Sequence, residues 1–152
     1  MSAEKIREFF QEKKSKSKIG NVDWEAKKDA WVQAIEKLYK VITDQYLAPS
    51  IAEGTVTVSR EEELIEEYPI RPYKAPVLIL TVGDEKAVFL PKGTNIVGAT
   101  GRIGLRGDMG ERTIVRQLGD RWCVVESRIP TLKLTPLNEE SLLAALKSVM
   151  RL

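Results

Sequence analysis

Four arginines, Arg102, Arg106, Arg112 and Arg116, fall within one glycine-punctuated stretch of the chain. A guanidinium presents a planar fork of donors that matches phosphate or carboxylate bidentately. Set on neighbouring strands, these side chains would form an anion-binding or nucleic-acid-binding surface, and they are the candidate ligand-binding residues. A groove for single strands also needs stacking aromatics. Between Tyr73 and Met150 the sequence offers only Phe89 and Trp122. The competing assignment for the arginines is cross-strand ion pairing with Glu111, Asp120 and Glu126, and the sequence favours it. Glu61-Glu62-Glu63 and Glu66-Glu67 form a second chemical cluster. Paired carboxylates can hold Mg²⁺ or Ca²⁺ or run acid–base chemistry, but a charge run of this kind is ordinarily a solvated face.

Several activities are excluded outright. The chain has no histidine, so neither Ser-His-Asp nor Cys-His catalysis is available. The single cysteine, Cys123, forbids an intramolecular disulfide and any zinc site built from Cys and His. Its setting, Trp122-Cys123-Val124-Val125, marks it as a small buried hydrophobe. An enzyme on this chain would have to use carboxylates, Lys, Tyr or Ser. No cofactor is implied.

Val97-Gly98-Ala99-Thr100-Gly101-Arg102-Ile103-Gly104 resembles the G-x-x-G-x-x-G loop of short-chain dehydrogenases and reductases. In that family the glycines let backbone approach a pyrophosphate at a helix N-terminus. The context here differs. Leu105-Arg106-Gly107-Asp108-Met109-Gly110 shows no apolar helical stripe, and the remaining chain is too short for further βαβ units. Glycine every third residue from 98 to 110 also lacks the proline and the length of a collagen repeat. The alternation of Ile103 and Leu105 with Arg102 and Arg106 predicts a strand, apolar on one side and basic on the other, followed by a loop.

The elements around these residues set the fold class. With 152 residues, 43% of them hydrophobic and 30% charged, the chain has the size and balance of one soluble domain. Net charge is +2 but unevenly spread: residues 51–70 hold six acids against one base, and residues 71–135 hold eleven bases against six acids. No apolar run approaches a membrane span, so no membrane partner is expected. The charged N-terminus lacks a signal peptide's apolar segment, which makes the cytoplasm the expected location. Residues 3–14 predict a short amphipathic helix carrying Ile6, Phe9 and Phe10. The basic linker Lys13–Lys18 follows, and Gly20-Asn21 breaks the pattern, so residues 1–20 read as a basic segment, mobile or briefly helical. Residues 21–152 form the single α+β domain.

Asp23 suits the N-cap of a long helix, Trp24 to Leu47, whose stripe is Trp24, Trp31, Ile35, Leu38, Ile42 and Tyr46, stopped by Pro49. Strands follow at Thr55–Val58, Val77–Val82, Ala87–Leu90, Asn95–Ala99, Arg102–Arg106, Arg112–Leu118 and Arg121–Ser127. Gly119-Asp120 is a hairpin signal. Glu61–Tyr68 suits either a charged edge strand or a short helix, and the proline-rich Tyr68–Pro76 reads as a rigid connector. Asn138 caps a final helix with Leu142, Leu146, Val149 and Met150 inward. Short connections favour antiparallel pairing. The expected fold is therefore α+β: an antiparallel meander sheet or partly closed β-barrel, with a long N-terminal helix and a C-terminal helix packed on it.

A Trp-bearing helix, a glycine-punctuated β middle and Thr135-Pro136-Leu137-Asn138-Glu139-Glu140-Ser141-Leu142-Leu143 entering the last helix resemble small bacterial single-domain proteins of unknown function. That resemblance implies no activity. The sequence points to a non-catalytic binding module with a protein partner. A nucleic-acid or anion binder using the arginines is the second reading, and a histidine-free hydrolase using the acidic run is the third. Oligomeric state is left open.

Overall fold

One continuous helix, α1 (Ser2–Val41), opens the chain in the computed structural model, which describes residues 2–67, 70–94, 101–117 and 119–151, with Ser2 and residues 15–24 described by backbone alone. The expected break at Gly20-Asn21 is absent, because the backbone is helical straight through it. A single glycine costs only about 1 kcal/mol relative to alanine inside a helix, and the Lys, Ser and Glu around it are permissive. Trp31, Ala34, Ile35, Leu38 and Tyr39 are buried along one stripe, while the Trp24 side chain lies outside the described residues. The helix closes with a π-helical turn, Ile42–Tyr46, and a short α2 (Ala48–Glu53) follows. Pro49 therefore does not stop the long helix. It sits in the first turn of α2, where its missing N–H has no helical partner to lose.

Seven strands follow: β1 (Thr57–Glu67), β2 (Ile70–Val82), β3 (Glu85–Gly93), β4 (Gly101–Gly107), β5 (Gly110–Gln117), β6 (Arg121–Ser127) and β7 (Lys133–Pro136). Each pairs antiparallel with its sequence neighbour in the order β1-β2-β3-β4-β5-β6-β7. Among the described residues β1 and β7 do not pair, so the sheet is an open meander with two edges. Glu61–Glu67 is strand, which settles the choice between edge strand and helix. The proline-rich segment also enters the sheet from Ile70 onward, as β2 rather than as a connector. Pro76 is tolerated because β2 meets β3 only from Leu78 onward, and Pro72 falls between Ile70 and Tyr73, where the β1–β2 register shifts and no described residue pairs with it across the ladder. The short extension expected before the last helix is strand β7, paired with β6. The strand expected at Asn95–Ala99 lies outside the described residues. Gly119 and Asp120 both adopt positive φ (79° and 55°), the geometry of a tight hairpin turn.

The last helix, α3 (Glu139–Val149), begins with a reciprocal cap: Ser141 N–H donates to Asn138 Oδ1 at 2.9 Å, and Asn138 N–H donates to Ser141 Oγ at 2.8 Å. It buries Leu142, Ala145 and Val149, and it packs on β4, β5 and β6. With α1 on the same side of the sheet, these side chains form one core with Leu78, Phe89, Ile103, Leu105, Ile114 and Val124. A smaller cluster, Val115, Cys123 and Val125 with Leu134 against it, lies on the opposite face and contains the buried cysteine.

The described part of the glycine run is strand β4, with Ile103 and Leu105 fully buried and Arg102 and Arg106 exposed, while Gly98–Thr100 lie outside the described residues. No helix starts near Gly101, so the dehydrogenase-like loop is not formed by the described residues. Two glycines have a packing reason. A Cβ on Gly101 would overlap the ring of Trp31, and one on Gly107 would strike the backbone carbonyl of Val149. At Gly104 the obstacle is the carboxylate of Glu111, the tip of a flexible side chain. Gly101→Ala is expected to destabilise the protein by about 2–3 kcal/mol through overpacking against a rigid ring. Gly104→Ala should cost less than half as much because Glu111 can swing away. Urea unfolding of the two variants beside the parent checks that ordering.

Candidate functional site

The four arginines do not converge. Directly opposite residues of an antiparallel pair share a face. The register sets Arg102 opposite Val115 and Arg106 opposite Glu111, but Leu105 opposite Arg112 and Gly101 opposite Arg116. Leu105 and Gly101 face the helices, so Arg112 and Arg116 lie on the helix face, and Arg102 and Arg106 lie on the other. Arg112 Nε donates to Ser148 Oγ of α3 at 3.1 Å. Arg116 Nε donates to Asp120 Oδ1 at 2.8 Å, which holds the Asp120 carboxyl below its ordinary pKa. Arg106 pairs with Glu111 at 3.2 Å, and Glu111 also takes Lys92 at 3.7 Å. Of the four, only Arg102 has no ion-pair or hydrogen-bond partner among the described residues. Glu111 and Asp120 act as the expected partners, and Glu126 does not.

The acidic run is dispersed by the same parity. Along β1, Glu61 and Glu63 alternate with Glu62, and all three are exposed. Glu67 is different: its Oε1 accepts from the Thr94 N–H at 2.8 Å and the Thr94 hydroxyl at 2.6 Å, and its Oε2 accepts from the Tyr73 hydroxyl at 2.9 Å. It ties the far end of β1 to the end of β3. No group of three or more His, Cys, Asp or Glu suited to a metal ion occurs among the described residues.

A groove of about 960 Å³ lies between α1 and the free edge of β1. One wall is Glu36, Lys37 and Lys40 of α1 with Thr43 and Asp44 of the π-helical turn, and the other is the unbroken run Val56–Arg60. Consecutive residues of a strand point to opposite faces. A wall made of five in succession is therefore the strand's backbone edge, with amides and carbonyls that no other strand among the described residues takes. Arg60 closes one end by reaching across to the Glu36 carboxylate, and its guanidinium lies 5.6 Å from the centroid of the Tyr39 ring. Tyr39 holds helix and sheet together beneath: its hydroxyl lies 2.9 Å from the Pro76 carbonyl and 3.1 Å from that of Phe89, sharing one proton between them. On the other side of α1 is a smaller pocket, about 270 Å³, floored by Leu38, Tyr46, Trp122 and Leu137, with Lys37 and Asp120 at its rim.

Comparison with known proteins finds no matching family model, no matching curated protein and no matching solved structure. The site therefore has to be read from its own geometry. Sequence reasoning missed the groove because a groove beside a strand edge is defined by a pairing that does not occur. The signal that bore on it was the charge run, since edge strands are commonly blunted with charged side chains.

Burial raises the pKa of both Tyr39 and Tyr73 far above the ordinary tyrosine value, and the Glu67 carboxylate adds to the effect at Tyr73. Both phenols stay protonated in the folded protein where the unfolded chain, at about pH 10, begins to lose them. The stabilisation is complete below that pH and is lost progressively above it, because only the unfolded state releases the protons. Tyr39 and Tyr73 should resist ionisation in an ultraviolet titration and ionise together with unfolding. Tyr73→Phe should remove one of the resistant groups.

Proposed function

We propose that this protein is a non-catalytic interaction module that binds an extended peptide segment of a partner protein in the groove between α1 and β1. The observation that carries the reading is the backbone edge of Val56–Arg60, which borders an open groove and pairs with no further strand among the described residues. A peptide laid there would satisfy those amides and carbonyls as an eighth strand beside the seven described, the β-augmentation mode of recognition. Backbone hydrogen bonds would supply affinity, and alternate peptide side chains would meet the α1 wall. That wall alternates in charge, with Lys37 and Lys40 against Glu36 and Asp44, which favours a peptide carrying both signs over a uniformly charged one. The arginine surface supports a nucleic-acid reading less well, because its members are divided between two faces and three of them already have protein partners.

The test is selection of a displayed library of nine-residue peptides against the full chain, followed by amide hydrogen exchange with the best binder. Outward amides within 56–60 should gain protection on binding. Thr43→Trp, which fills the groove, should weaken the peptide at least tenfold, and Arg102→Glu should leave its affinity unchanged. Protection that appears elsewhere, or binding indifferent to Thr43→Trp, would remove the reading.

A further inference from the structure

The first part of α1 carries an apolar stripe that its own fold leaves uncovered. Residues 3–14 are exposed throughout, with Ile6, Phe9 and Phe10 at 55%, 56% and 62%. At about 100° per residue, those three side chains fall on one side of the helix. Lys5 borders them on one flank, Arg7 and Lys14 on the other, and Lys13 continues the stripe. Glu4, Glu8 and Glu12 occupy the back. Because α1 is one unbroken helix to Val41, this arm cannot fold back onto its own sheet.

A surface of the opposite character lies on the same chain. Leu64 of β1 is 54% exposed, and along the strand its flanking residues on the same side are Glu62 and Glu66. Residues 61–67 contain five acids and no base, and apart from Glu67 those acids point to solvent. One surface is apolar with a basic border; the other is apolar with Glu62 and Glu66 beside it along β1 and one base, Lys74, opposite Leu64 and 4.0 Å from Glu62.

We propose that the N-terminal arm of one copy docks on the Glu61–Glu66 stretch of β1 in a second copy, with the contact repeated about a two-fold axis. Ile6, Phe9 and Phe10 cover Leu64, and Lys13 and Lys14 meet Glu62 and Glu66. A stripe of three side chains is too small for a stable interface when used once. Reciprocal exchange uses it twice, which moves the contact toward the roughly 1,200 Å² that a stable interface buries. This surface lies beyond Arg60 and does not involve the peptide groove, so either can fail without the other.

Sedimentation velocity on the full chain across a concentration series tests it. A reversible dimer is expected, weakened as salt is added. Lys13→Glu/Lys14→Glu should raise the dimer Kd at least tenfold, and so should Glu62→Lys/Glu66→Lys. Mixing the two charge-reversed proteins should restore a mixed dimer in which both contacts are attractive, one parental and one charge-swapped, and combining all four changes in one chain should restore the parental Kd to within about threefold. Far-UV circular dichroism of each variant confirms that it folds, since all four positions are exposed. A parent that stays monomeric at 100-fold above micromolar concentration overturns the proposal, and so does a dimer that ignores the reversals or is not restored by the combination. Arm-dependent sedimentation of a monomeric parent with anionic phosphatidylserine vesicles also overturns it, assigning the stripe to a lipid surface instead.

Discussion

Trp31 occupies the space that a side chain at position 101 would need, and the rest of the architecture is arranged around that contact. An indole is the largest apolar group a helix can offer, and only a strand position without a Cβ lets it approach so closely. The Trp31 ring lies 5.8 Å from that of Trp122 on β6, so one helical residue spans β4 to β6. One turn or more further along, Ile35, Leu38, Tyr39 and Ile42 are then delivered to the core. The indole N–H is the cost of this placement: it is buried without a hydrogen-bond partner among the described residues, close enough to Tyr73 to influence its hydroxyl. Leaving a buried donor unpaired costs about 1–3 kcal/mol, which the packing of so large a ring offsets.

What the sequence made legible was whatever is decided locally. The stripe from Trp31 to Ile42 follows from helical spacing, the Gly119-Asp120 turn from the two residues that accept positive φ, and the start of α3 from Asn138 and Ser141. Ile103 and Leu105 inward, Arg102 and Arg106 outward, follows from alternation within one strand. The arginine surface could not be judged in the same way, because it depends on two strands at once. Moving the β4–β5 register by one residue would place all four arginines on one face, and nothing in either strand alone fixes that choice. Helix ends were misread for a related reason: Gly20 and Pro49 are strong local signals, but a lone glycine is a modest cost inside a 40-residue helix, and a proline is as much at home starting a helix as ending one.

The two sides of the sheet are treated unequally. The helix face holds the main core under α1 and α3, while the other carries the smaller cluster of Val115, Cys123 and Val125 with Leu134 against it. Charge does most of its work at the margins. Arg151 gathers the two hairpin tips, with Nε 2.9 Å from Asp108 and 3.7 Å from Glu85, and its backbone N–H donates to Glu85 Oε2 at 2.6 Å. The exposed pairs with Asp84 and Asp108 are each worth at most about 1 kcal/mol, but together with the buried Glu85 they place three acids from two turns on one arginine and fix where α3 ends.

The meander order has a consequence for how the chain is made. Every strand pairs with the one synthesised just before it, so contacts are short in sequence and the sheet can grow in step with the ribosome. Helix α3 follows the seven strands in the chain, and the Met109 N–H donates to the Val149 carbonyl at 2.8 Å only once residue 149 has been added. Until then Leu105, Ile114 and Val124 lack the α3 part of their cover, and a product cut short before residue 139 keeps that apolar surface open to proteases and chaperones.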